Sequence, residues 1–326
     1  MSAGATGQRW VRWGRVVAVA IGLGATAHGV FDPGILAHYS ESPDSVIITR
    51  WAERATVDDA LGWWVGPWIQ ADSPYYRPLS SLLFWFEYLV FGWDFQGHVI
   101  ISWILHGWIC WLLYELALRL LHGDAVRRAA LALVAVVLLN LRMGPTGPGW
   151  LPAPVAYGVV AWWPGQTDQT SLLCSLLSLL WLDRWLDAGR RRELWLGLGA
   201  WVTALLFKEM AVCVPLLAAL LVFIRGGRGA LSLWCTWEGQ RRFCPGLAWR
   251  VLVPGLALVA GFLALRSVLV PNAWGPQARP LGYFVAKALW YAAERPQALL
   301  ISRGPWLAVV SLFLAACLYV YIRLPR

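Results

Sequence analysis

Two charged side chains interrupt an apolar stretch near the middle of the chain. Lys208-Glu209-Met210 separates the apolar segments 193–207 and 211–224. Isolated charge in hydrocarbon costs about 2.5–3.5 kcal/mol on insertion scales, so this turn needs water or a counter-charge. A second cation, the guanidinium of Arg77, stands in Tyr75-Tyr76-Arg77-Pro78-Leu79 within a loop rich in acids, where an ion pair with an acid of that loop is the plainest use for it. His28 and His106 fall in apolar segments. A buried imidazole there can ligate haem or a pigment, or simply hydrogen-bond inside a helical bundle. Ser171, Ser175 and Ser178 share one helical face, as small residues do where helices pack closely. No CxxC pair, P-loop, HExxH, GxSxG or dinucleotide fingerprint occurs, so neither a zinc site nor a disulfide framework is indicated by the six cysteines.

The elements that must position these residues are membrane spans. Of 326 residues 59% are apolar and only 14% charged, with mean hydropathy +0.57, which argues against a water-soluble fold. A span needs about 20 mostly apolar residues, because each backbone N–H and C=O in hydrocarbon must be satisfied within its own helix. The expected fold is all-α, a polytopic bundle of about eight spans at 14–31, 98–121, 129–142, 168–187, 193–207, 211–224, 249–270 and 305–323, forming one membrane domain over 1–326. The pair 193–207 and 211–224 reads as a tight helical hairpin or one long bent segment.

Charge orients these spans. With the N-terminus inside, 17 Lys and Arg fall on the cytoplasmic side and 10 on the other, which is the positive-inside pattern with both termini cytoplasmic in an inner membrane. The net charge of +9 is therefore explained by topology rather than by nucleic acid, which is not an expected partner. The first outer loop, 32–97, carries nine acids against Arg50, Arg54 and Arg77, and its aromatic stretch Leu79 to Phe91 is too short to span, so a helix lying in the interface is expected. A second outer loop is expected at 271–304. The 24 Trp suit membrane interfaces or packing within the bundle.

Three strings in order carry a resemblance: Tyr75-Tyr76-Arg77-Pro78-Leu79 followed by Phe91-Gly92, Gly97-His98 and His106; Trp162-Trp163-Pro164-Gly165-Gln166-Thr167-Asp168; and Phe207-Lys208-Glu209-Met210-Ala211-Val212 with Pro215. Over residues 10 to 270 the chain resembles the C-type polytopic membrane glycosyltransferases, especially the membrane domain of protein O-mannosyltransferase-like proteins with tetratricopeptide repeats. The resemblance implies transfer of a sugar from a polyprenyl-phosphate donor to an acceptor at the extracytoplasmic face. It implies a catalytic base soon after the first span, for which Asp44 is the best single candidate, since the adjacent acidic pair of the family is absent here. Arg77 and Lys208 match positions suited to holding phosphate, Glu209 and Asp168 would orient them or contact a divalent cation, and His106 would belong to the substrate site. The family's Arg in the second string is Gln166 here, and its His is displaced by one residue at His98. These departures suggest an alternative, a non-catalytic scaffold or accessory subunit of the same fold in a larger membrane complex. The bilayer, a lipid-linked sugar and other membrane subunits are thus the expected partners.

Overall fold

A computed structural model describes residues 3–69, 73, 75–141, 143–144, 153–154, 160–226, 234–237, 240–243 and 247–270. All belong to one compact unit, Met1–Val270. The expected span 305–323 and outer loop 271–304 lie outside the described residues.

The described chain is helical apart from two small antiparallel ribbons, β1 (Met143–Gly144) with β2 (Ala153–Pro154) and β3 (Trp234–Trp237) with β4 (Gln240–Phe243). Helix α1 (Ala3–Phe31) is followed by four shorter helices in the first loop: α2 (Pro33–Ser40), α3 (Pro43–Arg54), α4 (Val57–Gly62) and α5 (Pro78–Phe91). Local chemistry sets their ends. Asp32 accepts from the backbone N–H of Gly34 and Ile35, Ser42 accepts from Ser45, and Pro33, Pro43 and Pro78 occupy first-turn positions that lack a partner for an N–H. Thr56 and Asp59 form a reciprocal capping box at α4, and these hydrogen bonds hold the Asp59 carboxyl below its usual range. Asp59 thus has a local structural use.

Seven of the eight expected spans coincide with helices. They are α1, α6 (Phe95–Leu120), α7 (Ala125–Leu141), α8 (Gln166–Ala188), α9 (Arg191–Phe207), α10 (Val214–Gly226) and α11 (Leu247–Leu269). Among the described residues three helices are long and apolar enough to cross a membrane: Gly7–Phe31, Phe95–Leu120 and Val251–Leu269. The others fall short for identifiable reasons. Helices α7 and α9 have 17 residues each and rise about 25 Å, while α8 carries Asp168, Asp183, Arg184 and Asp187 near its ends.

Helices α1 and α6, and likewise α8 and α9, run antiparallel and meet through small residues. On α1, Gly14 abuts Tyr114 and Gly22 abuts Cys110 of α6, while Gly107 of α6 abuts Leu23. Between α8 and α9 the Ser171 hydroxyl donates to Ala204 O at 3.1 Å and Gly197 sits against Leu182. Ser178 is fully buried, so the serine face is a packing face. The main core lies among α6, α8, α9 and α10, around Leu116, Leu176, Leu180, Trp201, Leu205 and Leu221.

At Lys208 the backbone is extended (φ −159°, ψ 141°) and the chain reverses. The Trp201 indole N–H donates to Ala211 O at 2.8 Å, a contact that one continuous helix could not make. Of the two forms left open by the sequence, one continuous bent helix is therefore excluded, and the chain turns back through a 3-10 turn at Glu209–Cys213. Helix α5 is 14 residues long, about 21 Å, and shorter than a hydrocarbon core. Its apolar run is divided among surroundings: Phe84 is buried, Leu82, Leu83 and Trp85 are half-buried, and Phe86 is exposed.

Candidate functional site

The antiparallel arrangement brings the C-terminal end of α1, the N-terminal ends of α6 and α8 and the reversal after α9 to one end of the bundle. Helices α3 and α5 also pack there: the Ser80 hydroxyl of α5 donates to Phe207 O at 2.7 Å, and Phe84 of α5 meets Trp163 with ring centroids 5.1 Å apart. Between them lies a cavity of about 600 Å3. Its charged lining is Asp44, Arg77 and Lys208, contributed by α3, the residue preceding α5 and the reversal; Trp68, Tyr75 and Thr167 also line it.

Each cation is held by a carboxylate from a distant part of the chain. Arg77 donates through Nε (3.0 Å) and Nη2 (2.8 Å) to Glu209 Oε2, and both side chains are largely buried. The guanidinium also lies over the Tyr75 and Trp68 rings, 4.2 and 5.1 Å from their centroids. Lys208 Nζ is 2.5 Å from Asp168 Oδ1. Glu209 is thus the partner of Arg77, rather than an acid of Arg77's own loop. Glu209 uses one oxygen, while Oε1 is buried without a hydrogen bond among the described residues. Asp44, in the first turn of α3, is exposed and makes no ion pair among the described residues. Tyr76, next to Arg77, donates its hydroxyl to Trp64 O at 3.0 Å, and burial raises its phenol above the ordinary range, keeping it a neutral donor.

The remaining expected site residue, His106, is elsewhere. It lies in the packed interior of α1, α6 and α7, where its Nε2 is 2.9 Å from Asn140 Oδ1 and 3.7 Å from Cys110 Sγ. It does not line the cavity and has the partners of a bundle histidine. His28, at the end of α1, is 3.4 Å from Asp32. For a divalent cation the donor set does not fit: among the described residues no three His, Cys, Asp or Glu side chains group to hold a metal ion. The two acids nearest the cavity cations are each committed to one of them.

A polar cluster whose pairing no sequence motif marks lies behind the cavity wall. Glu87 of α5 and His98 of α6 are buried, with His98 Nδ1 3.2 Å from Glu87 Oε2 and His98 Nε2 3.0 Å from Gly92 O. Trp163 donates its indole N–H to the same Glu87 oxygen at 2.8 Å and stacks on His98 at 4.0 Å, and Gln166 Nε2 donates to His98 O at 2.9 Å. Trp163 and Gln166 bracket Pro164, and Trp162, Pro164 and Thr167 line the cavity, so this cluster fixes one wall. Gln166, where the resembling family has Arg, is wholly buried here and serves the backbone. The spacing of Glu87 and His98 places them near one helix junction, but nothing local marks Trp163 as their partner.

Fold and site together define a helical protein with, among the described residues, three helices suited to a membrane and a charged cavity at one end of the bundle. The chain matches no protein-family model, no curated protein and no solved structure.

Proposed function

We propose that the protein is a membrane glycosyltransferase that moves a sugar from a polyprenyl-phosphate donor to a hydroxyl acceptor at the extracytoplasmic face of an inner membrane, with about eight spans and both termini cytoplasmic. The observation that carries the reading is the approach of Asp44, Arg77 and Lys208 to a single cavity from three separate segments. The orientation is supported by the Arg9, Arg12, Arg15, Arg119 and Arg190 to Arg192 clusters, which belong to the helix ends opposite the cavity.

The chemistry follows from these groups. The acceptor hydroxyl is a weak nucleophile, and Asp44, the unpaired carboxylate of the lining, takes its proton as the oxygen attacks the anomeric carbon. The bond from that carbon to the phosphate oxygen breaks, and the lipid phosphate leaves with the electron pair. Glu209 engages the Nε and Nη2 side of Arg77, so Nη1 is not used by that carboxylate and can meet the phosphate. Lys208 keeps two further N–H donors beyond Asp168. Glu209 and Asp168 then act as positioning residues, holding both cations before the charge develops. In the test, purified protein transfers labelled sugar from a lipid donor, and Asp44→Asn and Lys208→Gln lower the rate at unchanged folding; equal rates in all three proteins remove both roles.

One observation favours a second reading, a non-catalytic scaffold of the same architecture. Both cavity cations are already neutralised by carboxylates, and the acidic pair of the resembling enzymes is replaced by the single Asp44. Recovery in a stoichiometric membrane complex with no transfer activity would support it, and turnover of a lipid donor by the isolated protein would exclude it.

A further inference from the structure

One face of α1 leads from two arginines into an apolar groove. Arg9, Arg12, Trp13 and Val16 line a hollow of about 420 Å3. Farther along, Val19 and Leu23 line a second of about 310 Å3 together with Ile104, Gly107, Trp108 and Trp111 of α6. At 3.6 residues per turn, positions 9, 12, 13, 16, 19 and 23 fall on one stripe roughly 120° wide, so the two hollows share a helix face.

The two ends differ in chemistry. Arg9 and Arg12 are exposed and make no ion pair among the described residues, whereas Arg15, off the stripe, is paired with Glu115 of α6. At the other end Trp108 and Ile104 are 53% and 46% exposed. Here α1 and α6 touch: a Cβ on Gly107 would come within 3.0 Å of Leu23. The second hollow is thus the cleft between two contacting helices, which suits a chain of methylenes better than another helix about 10–12 Å across. From Arg12 to Leu23 the helix rises about 16 Å, close to half of a hydrocarbon core about 30 Å thick. Cationic groups at one end of the stripe and an apolar cleft at the other, together spanning about one leaflet, match the two parts of a lipid.

We propose that this stripe binds one anionic glycerophospholipid from the leaflet on the N-terminal side of α1. Its phosphate lies between Arg9 and Arg12, and one acyl chain follows Val16, Val19 and Leu23 against Ile104 and Trp108. Trp13 sits between the two regions, at the depth where an indole is favoured. The site is remote from the cavity and independent of what the cavity does.

The experiment uses the full chain in phosphatidylcholine nanodiscs containing phosphatidylglycerol with a photoactivatable acyl chain. Cross-linked peptides from 16–23 and 104–111 are expected, with competition by unlabelled phosphatidylglycerol and weaker labelling by a phosphatidylcholine analogue. Replacing both arginines (Arg9→Ala with Arg12→Ala) should weaken labelling about thirtyfold, the weight of two cations at a membrane surface. Replacing Arg190, Arg191 and Arg192 with Ala, a cluster at the same end of the bundle, should leave it unchanged. Equal labelling by the phosphatidylcholine analogue, cross-links elsewhere or to a second copy of the chain, or equal losses in the two variants would overturn the proposal. The wild-type cross-link map and lipid competition decide it even if the double variant does not fold.

Discussion

Arg77 directs two N–H groups, Nε and Nη2, at the same oxygen of Glu209, joining the start of α5 to the reversal after α9 across 132 residues. The Glu209 side chain is 17% exposed and its other oxygen is already without a partner among the described residues. Removing the guanidinium therefore strands a largely buried carboxylate. Arg77→Ala should cost about 3 kcal/mol or more, the range for breaking a buried pair from one side. Thermal unfolding in detergent should show this loss and its partial recovery when Glu209→Ala is added. Additive effects of the two substitutions would mean that the pair contributes no coupling.

Lys208 should behave differently, because its partner Asp168 is 43% exposed and solvent weakens the attraction. Lys208→Gln should lower stability by about 1 kcal/mol or less. If the cavity receives phosphate, the same change should weaken retention of a polyprenyl-phosphate ligand by the purified protein. A large stability loss with unchanged ligand retention would reverse the roles assigned to the two cations.

Glu87 is 3% exposed and receives the Trp163 indole on the oxygen that also faces His98. Trp163→Phe retains much of the ring packing but deletes this donor, and a buried carboxylate losing a hydrogen bond costs about 1–3 kcal/mol. The wall bearing Trp162, Pro164 and Thr167 should loosen with it. Hydrogen exchange over 160–170 should accelerate in the variant; unchanged protection would show that the cluster does not hold the wall.

Gly14 tests the contact between α1 and α6, since a Cβ there would overlap the Tyr114 hydroxyl. That hydroxyl donates to Val11 O at 3.3 Å, so moving it also disturbs a hydrogen bond. Gly14→Ala should destabilise by about 1–3 kcal/mol through overpacking. At Gly24 nothing lies within 4 Å of an added Cβ, and Gly24→Ala should be tolerated. Equal melting temperatures for the two variants would contradict this close approach.

Orientation is tested by labelling single cysteines in a cysteine-free background. Asp59→Cys, in α4 of the first loop, should react from outside with an impermeant reagent, while a retained Cys235 should react only after the membrane is opened. The opposite pattern would place the cavity on the cytoplasmic face and remove the proposed donor side.

Apolar segment length and helix-end chemistry were legible along the chain. Seven expected spans overlap helices because a long apolar run, ended by a helix-terminating residue such as Gly189, leaves its backbone few alternatives to a helix, while Asp32, Pro43 and Pro78 set the starts of the loop helices. Composition was less informative about which helices cross a bilayer: α7, α9 and α10 are short and α8 is charged at both ends, so three of the seven helices meet a length-and-apolarity test among the described residues. The motif strings named Arg77, Asp168, Lys208 and Glu209, but only the folded chain decided their pairing. An ion pair depends on distance in space, and the reversal at Lys208 sends two successive residues to different partners, Lys208 to Asp168 and Glu209 to Arg77. The same physics removed His106 from the cavity and assembled Glu87, His98 and Trp163 behind its wall. Helical rotation chooses the face on which a side chain emerges, and packing chooses what meets it there. Sequence alone determined where helices form and which polar residues need partners; tertiary structure decided which partners they have, because those contacts join segments that no local spacing relates.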